Sequence, residues 1–129
     1  MLVEKYSVEE HVNQHIDMEI KQEFKLFEES LKMFDVSLDD LISCCPKHRD
    51  SKVLSIRIAK TICNNDELYD RLYKSKRIPR SDIMKYINVS ERTIERNRKF
   101  IIAVSLILRS NFTFLIEYID DVLESELKE

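Results

Sequence analysis

The chain has no glycine in 129 residues, and that absence narrows the folds open to it more than any motif does. Glycine accepts positive φ without steric cost, so a chain lacking it is poorly supplied for the tight two-residue turns that join β-hairpins. The Walker A loop and the dinucleotide fingerprint are excluded outright, because their backbones need glycine to approach a phosphate. Only Pro46 and Pro79 interrupt what remains. Hydrophobic residues make up 43% and charged residues 35%, a mixture that suits helices with ion-paired outer faces around one core. The expected fold is therefore all-α, a compact multi-helix domain.

Apolar spacing and caps place about seven helices. Ser7 and Glu10 have capping-box spacing, and Val12, Ile16, Ile20, Phe24, Phe27, Leu31 and Phe34 follow at steps of four and three, one stripe on a long acidic helix over 7–34. Ser37 and Asp40 cap a short helix ending before Pro46. Asp50 or Ser51 opens a third helix that runs to Cys63, and Asn64 and Asn65 separate it from a fourth over 66–74. Ser81 caps a fifth helix that stops at Asn88, the residue nearest to glycine in tolerating the left-handed conformation. Ser90 caps a sixth over 90–109, and Asn111 caps a last one whose apolar face is Phe114, Leu115, Tyr118, Ile119, Val122 and Leu123. Two units are expected: an acidic amphipathic helix over 1–36, packed on or next to a helical domain over 37–129.

The net charge of −3 conceals a segregation. Residues 1–40 hold 4 basic and 11 acidic side chains, residues 74–100 hold 9 and 3, and residues 101–129 hold 2 and 6. A cationic island between acidic flanks is a local electrostatic footprint. It coincides with a helix-turn-helix pattern over 81–109, in which Ile83, Ile87 and Ile94 lock two helices at their crossing, Val89 plugs the turn and Ser90 caps the second helix.

With Ile94 inward, and about 100° per residue, Arg92, Arg96 and Lys99 fall together on the outer side, while Arg98 projects close to the core. The stretch from Phe100 to Leu108 is apolar nearly all round. A helix anchored by its carboxy-terminal half and cationic in its amino-terminal half is suited to enter a major groove. Ser90, Arg92, Thr93, Arg96 and Lys99 are the expected groove-facing residues, and Lys74, Lys76, Arg77 and Arg80 the expected phosphate contacts.

Several segments in order carry a family resemblance: Pro46-Lys-His-Arg-Asp50, Ser55-Ile-Arg-Ile-Ala-Lys60, Asp66-Glu-Leu-Tyr69, and the run from Val89 to Ala103. Over residues from about 20 to 119 the chain resembles the carboxy-terminal domain of the sigma-I family of bacterial RNA polymerase sigma factors. The resemblance implies recognition of double-stranded promoter DNA at the −35 element, as a monomer on an asymmetric site. It further implies assembly with RNA polymerase core and control by a membrane-tethered anti-sigma factor. Two departures accompany it. The stretch from Asn111 to Tyr118 lacks the glycine and proline expected there, and the sigma domain that melts the −10 region is absent, as for an excised domain or a truncated relative.

Other chemistry has little support. Cys44, Cys45 and Cys63 are odd in number, and the amino terminus has no apolar signal segment, so reduced thiols in a cytoplasmic protein are expected. Cys44, Cys45, His48 and Cys63 lack zinc-site spacing, and His11, His15 and Glu19 read as surface residues of an acidic helix. No metal, cofactor, small-molecule substrate or catalytic residue is expected. Two rival readings of the island are a protein-interaction module that binds an acidic partner, and a dimeric helix-turn-helix repressor on a palindrome.

Overall fold

The computed structural model describes residues 2–117, with side-chain surroundings from residue 17 onward. Seven helices run in order: α1 (Leu2–Lys32), α2 (Leu38–Cys44), α3 (Arg49–Cys63), α4 (Asp66–Ser75), α5 (Arg80–Tyr86), α6 (Glu91–Arg96) and α7 (Arg98–Arg109). An eighth, α8, covers residues 113–117 as far as the description reaches. The described residues form no strand, and the architecture is all-α.

The core is organised around α7. Every side chain from Ile101 to Ile107 is buried, and α7 packs chiefly against α3, with α1 and α2 also touching it. α3 buries Val53, Ile56, Ile58, Ala59 and Ile62, a broad apolar face suited to a helix packed into the core. α1 closes the core with Phe27, Leu31 and Phe34, and α4 contributes Leu68 and Leu72. Each fully buried leucine or isoleucine contributes about 1.5–3 kcal/mol, so this shared cluster holds the helices together more than the short helices' own propensities do.

Local signals explain several boundaries. At Ser37 the capping box is complete: the Asp40 amide donates to Ser37 Oγ and the Ser37 amide donates to Asp40 Oδ2, each at 3.0 Å. Asn65 Oδ1 accepts from the Glu67 and Leu68 amides to open α4. α1 ends in a Schellman motif, with the Val36 amide donating to Leu31 O and the Asp35 amide to Lys32 O, while Val36 and Leu31 are both buried.

Other boundaries depart from the sequence reading. α1 begins at Leu2, so Ser7 lies inside the helix; Leu2 to Lys5 are residues that continue a helix rather than stop it. His48 and Pro79, not Asp50, Ser51 or Ser81, precede α3 and α5, and neither start has a side-chain cap. The left-handed positions are Asp35, Lys76 and Asn111; Asn88 is not among them, because α5 ends by passing into extended backbone at Ile87. Asn111 leaves α7 in the left-handed conformation instead of capping α8 with its side chain. The predicted apolar positions Tyr118, Ile119, Val122 and Leu123 lie outside the described residues.

The helix predicted over 90–109 is two helices. Asn97 (φ −102°, ψ 13°) separates α6 from α7, and it is buried. Its side-chain Nδ2 donates to Thr93 O at 3.2 Å, taking up a carbonyl that a continuous helix would bond through the backbone alone. The Ile101 amide then donates to Asn97 O at 2.9 Å and restarts the regular pattern. The result is a bend between the two halves.

Candidate nucleic-acid interface

The bend fixes what α6 can present. Ile83 on α5, Ile94 on α6 and Ile101 on α7 are all fully buried in the shared core, which anchors the short helix through its inner residue. Ser90 caps it: its Oγ accepts from the Thr93 amide at 3.2 Å and lies 2.9 Å from Thr93 Oγ1. Both hydroxyls therefore help hold the start of α6 in place, Ser90 exposed and Thr93 half-buried.

Arg92 and Arg96, one turn apart on α6, are exposed and have no ion-pair partner among the described residues. The third member of the expected ridge is placed differently. Beyond the bend, Lys99 belongs to α7, is half-buried, and has its Nζ 3.5 Å from Asp40 Oδ2 on α2. The Asp40 carboxyl is held below the usual carboxylate range, first by the Ser37 backbone amide and hydroxyl and then by the nearby Lys99. Arg98 is half-buried beside the bend.

The four expected phosphate contacts divide in the same way. Lys74 and Arg77 are exposed and have no ion-pair partner among the described residues. Lys76 sits at the left-handed end of α4, with its Nζ 4.6 Å and 4.3 Å from the ring centres of Phe34 and Tyr73 and donating to Tyr73 O at 2.7 Å. Arg80 Nη1 lies 2.7 Å from Glu91 Oε1 and 3.0 Å from Glu95 Oε1. The structure thus brings Lys74, Arg77, Arg92 and Arg96 forward as exposed cations. Lys76, Arg80 and Lys99 are engaged within the fold.

Three groups were not singled out by sequence. Glu91 and Glu95 carry their carboxylates beside the arginines of α6. Glu23, buried on α1, accepts the Phe114 amide with both oxygens at 3.2 Å and 3.1 Å, and so caps α8 from a residue 91 positions away. Arg109 donates to Cys63 O and Asp66 Oδ1 and stacks over Tyr69, tying the end of α7 to the α3–α4 turn. Burial pushes the Cys63 thiol up to about 11. His11 and His15 lie among side chains outside the description; among the described residues no group of three His, Cys, Asp or Glu could hold a metal ion.

A second feature is an apolar groove of about 580 Å³ between α1, α2, α3, α7 and α8, lined by residues including Ile20, Phe24, Ile42, Phe100 and Leu115, with Lys52 at its edge. Ile42 is 78% exposed and Phe24 41%, unusual for large apolar side chains on helices already packed to a core. Among the described residues, no helix is long and apolar enough to cross a membrane.

No protein-family profile matches the chain. Individual proteins do. RNA polymerase sigma factor SigI6 of Acetivibrio thermocellus is 51% identical over 110 residues, covering 85% of this chain and 44% of that protein. SigI3 of the same organism is 50% identical over 102 residues, covering 79% and 41%. SigI of Bacillus subtilis is 34% identical over 119 residues, covering 92% and 47%. The chain spans less than half the length of each of these relatives.

Proposed function

The chain is a homologue of the sigma-I factors and resembles their carboxy-terminal domain, and from that premise we propose that it is the promoter-binding domain of an alternative RNA polymerase sigma factor. It contacts double-stranded DNA at the −35 element through α6, as a monomer, and helps direct RNA polymerase core to a subset of promoters in the cytoplasm. Its role is positional, and no catalytic step is assigned to it.

The observation that carries this reading is the disposition of Arg92 and Arg96. They project, without intramolecular ion pairs among the described residues, from a helix capped by Ser90 and pinned by Ile94. Arginine presents a rigid fork of donors that matches guanine O6 and N7, worth about 1–3 kcal/mol of discrimination per pair. Lys74 and Arg77 supply exposed charge for the flanking phosphates. Lys99 reaches DNA only by leaving Asp40, an exchange of one half-buried, solvent-screened ion pair for another that costs little.

Fluorescence anisotropy of a labelled promoter duplex against the full chain, repeated from 50 to 200 mM salt, tests the reading. Two exposed cations on phosphates, Lys74 and Arg77, predict that log K falls with log salt at a slope of about −2. A slope near zero would overturn it, as would a demand for a two-fold palindrome and a protein dimer.

The apolar groove favours a second, compatible role. An exposed Ile42 and Phe24 beside a cavity of this size suit an amphipathic segment of a partner protein, and the partner expected for this family is the cytoplasmic part of a membrane-tethered anti-sigma factor. Ile42→Asp should abolish binding of that partner while leaving DNA affinity within about twofold; equal partner binding by the variant removes this role.

A further inference from the structure

The outward side of α6 carries alternating charge: Glu91, Arg92, Glu95 and Arg96 are all exposed. The arginines have no ion-pair partner among the described residues, whereas both glutamates are held by the single guanidinium of Arg80. A carboxylate on a surface that meets DNA is repelled by phosphate, so it weakens binding unless a nearby cation offsets it or a donor on the DNA rewards it. Arg80, reaching across from the start of α5, supplies the cation. It does so through one oxygen of Glu95, and Glu95 Oε2 makes no hydrogen bond to the described residues.

The two glutamates are not equivalent. With Ile94 taken as the inward direction and about 100° per residue, Glu91 lies about 60° from it and Glu95 about 100°. Arg92 lies about 160° away on the same side, so Glu95 stands nearer the arginine side of the helix than Glu91 does, although Glu91 is the more exposed, 60% against 48%. Glu95 is also the residue immediately before Arg96 and three after Arg92, within the span of base pairs that those two arginines can cover.

We propose that Glu95 is a specificity-determining residue of this chain, accepting an exocyclic amino group in the major groove, with Arg80 as the positioning residue that orients its carboxylate. This rests on the promoter-binding reading above. The chemistry is selective: an ionised carboxylate only accepts hydrogen bonds. On the major-groove edge, cytosine N4 and adenine N6 donate, whereas guanine N7 and O6 and thymine O4 accept. Glu95 is therefore complementary to cytosine or adenine and is repelled by guanine and thymine, the converse of Arg92 and Arg96. Donor-only and acceptor-only side chains placed side by side on one short helix would read neighbouring base pairs of opposite pattern. Arg80 removes the repulsion that would otherwise keep a carboxylate out of the groove, and it limits the positions Glu95 can take up.

The test is a complete base-pair scan. Duplexes are selected from a random library with the full chain, and affinities are measured for every single base-pair variant of the selected site. Four proteins are compared: wild type, Glu95→Ala, Glu95→Gln and Arg80→Met. Wild type should show one position, beside those preferring guanine, at which cytosine or adenine is favoured by about 5- to 150-fold. Glu95→Ala should reduce that preference to under about twofold while the guanine preferences remain. Glu95→Gln separates the two bases, because glutamine pairs in bidentate fashion with adenine N6 and N7. It shifts a cytosine position towards adenine and retains an adenine position. Arg80→Met should narrow the same preference and leave the guanine positions unchanged, which a purely structural role would not do.

If Glu95→Ala changes affinity by the same factor at every position, or if wild type prefers guanine with no neighbouring cytosine or adenine position, the assignment of Glu95 is wrong while promoter binding stands. If wild type has no base preference anywhere, promoter reading falls and this assignment falls with it.

Discussion

Replacing Glu23 with alanine should destabilise the protein by about 2 kcal/mol, although Glu23 lies far from the cationic face and in the middle of a helix. The magnitude follows from its surroundings. Glu23 is 8% exposed, and both carboxylate oxygens lie within 3.2 Å of the Phe114 amide at the start of α8. Hydrogen bonds to charged groups contribute about 1.5–3 kcal/mol, and loss of a helix cap about 0.5–2 kcal/mol. These describe the same interaction, so they overlap and do not add. Urea denaturation at pH 7 measures the loss. With an m-value of about 2 kcal/mol/M, the midpoint should fall by about 1 M with no change in slope. Glu23→Gln keeps an acceptor oxygen without the charge and should lose about half as much. A Glu23→Ala midpoint within 0.2 M of wild type, or a glutamine variant as damaged as the alanine one, would refute the idea that this carboxylate staples α1 to α8.

Three further substitutions or labels probe the rest of the fold. Ser55 is fully buried with no hydrogen-bond partner for its Oγ among the described residues, so Ser55→Ala should raise stability by about 1 kcal/mol in the same urea assay; a loss would mean the hydroxyl is satisfied. Asp35 ends α1 at φ 59°, where glycine has no steric cost, and Asp35→Gly should raise the thermal midpoint, by about 0.5–1 kcal/mol of stability. A lower midpoint would show that the aspartate side chain stabilises that turn. The Cys63 thiol, pushed up to about 11 by burial and donating to Ser105 O, stays protonated until the pH nears that value. Because the thiolate is the reactive form, iodoacetamide at pH 8 should modify Cys63 about 100-fold more slowly in the folded protein than in urea, with exposed Cys44 reacting first. Equal rates would place Cys63 at the surface.

What the sequence made legible was local. The Ser37 capping box, the Ser90 cap and the α3–α4 separation at Asn65 depend on residues within one turn of each other, where spacing alone determines geometry; of the three residues expected at the helix crossing, Ile83 and Ile94 are fully buried and Ile87 is half-buried. The absence of glycine pointed correctly to helices. It gave no guide to which residues would take its place: Asp35 and Asn111 have short polar side chains that tolerate positive φ, but Lys76 adopts it without one. The break at Asn97 was hidden because it falls at a buried polar residue, whose side-chain amide shares Thr93 O with its own backbone amide, a feature invisible to a count of apolar spacing.

That break changes the site. A continuous helix would carry Lys99 on the same ridge as Arg92 and Arg96. After the bend it faces α2, where Asp40 meets it. Arg80 was read as a phosphate contact, and its pairing with Glu91 and Glu95 escaped the sequence reading, as Glu23's bond to Phe114 did, because these partners are set by how α5 meets α6 and how α1 meets α8, not by intervals along one helix. Lys76 is a smaller case: a cation counted as available for DNA lies over two aromatic rings.

Under the proposed function the exposed cations divide into Arg92 and Arg96, which would discriminate bases, and Lys74 and Arg77, which would hold the backbone. The most direct test compares Arg96→Ala with Lys74→Ala on a −35 duplex and on the same duplex with its guanines replaced. Arg96→Ala should cost about 1–3 kcal/mol on the first and almost nothing on the second, and Lys74→Ala should weaken both alike and make the salt slope shallower by about 1. Two variants that lose the same affinity on both duplexes would contradict the division.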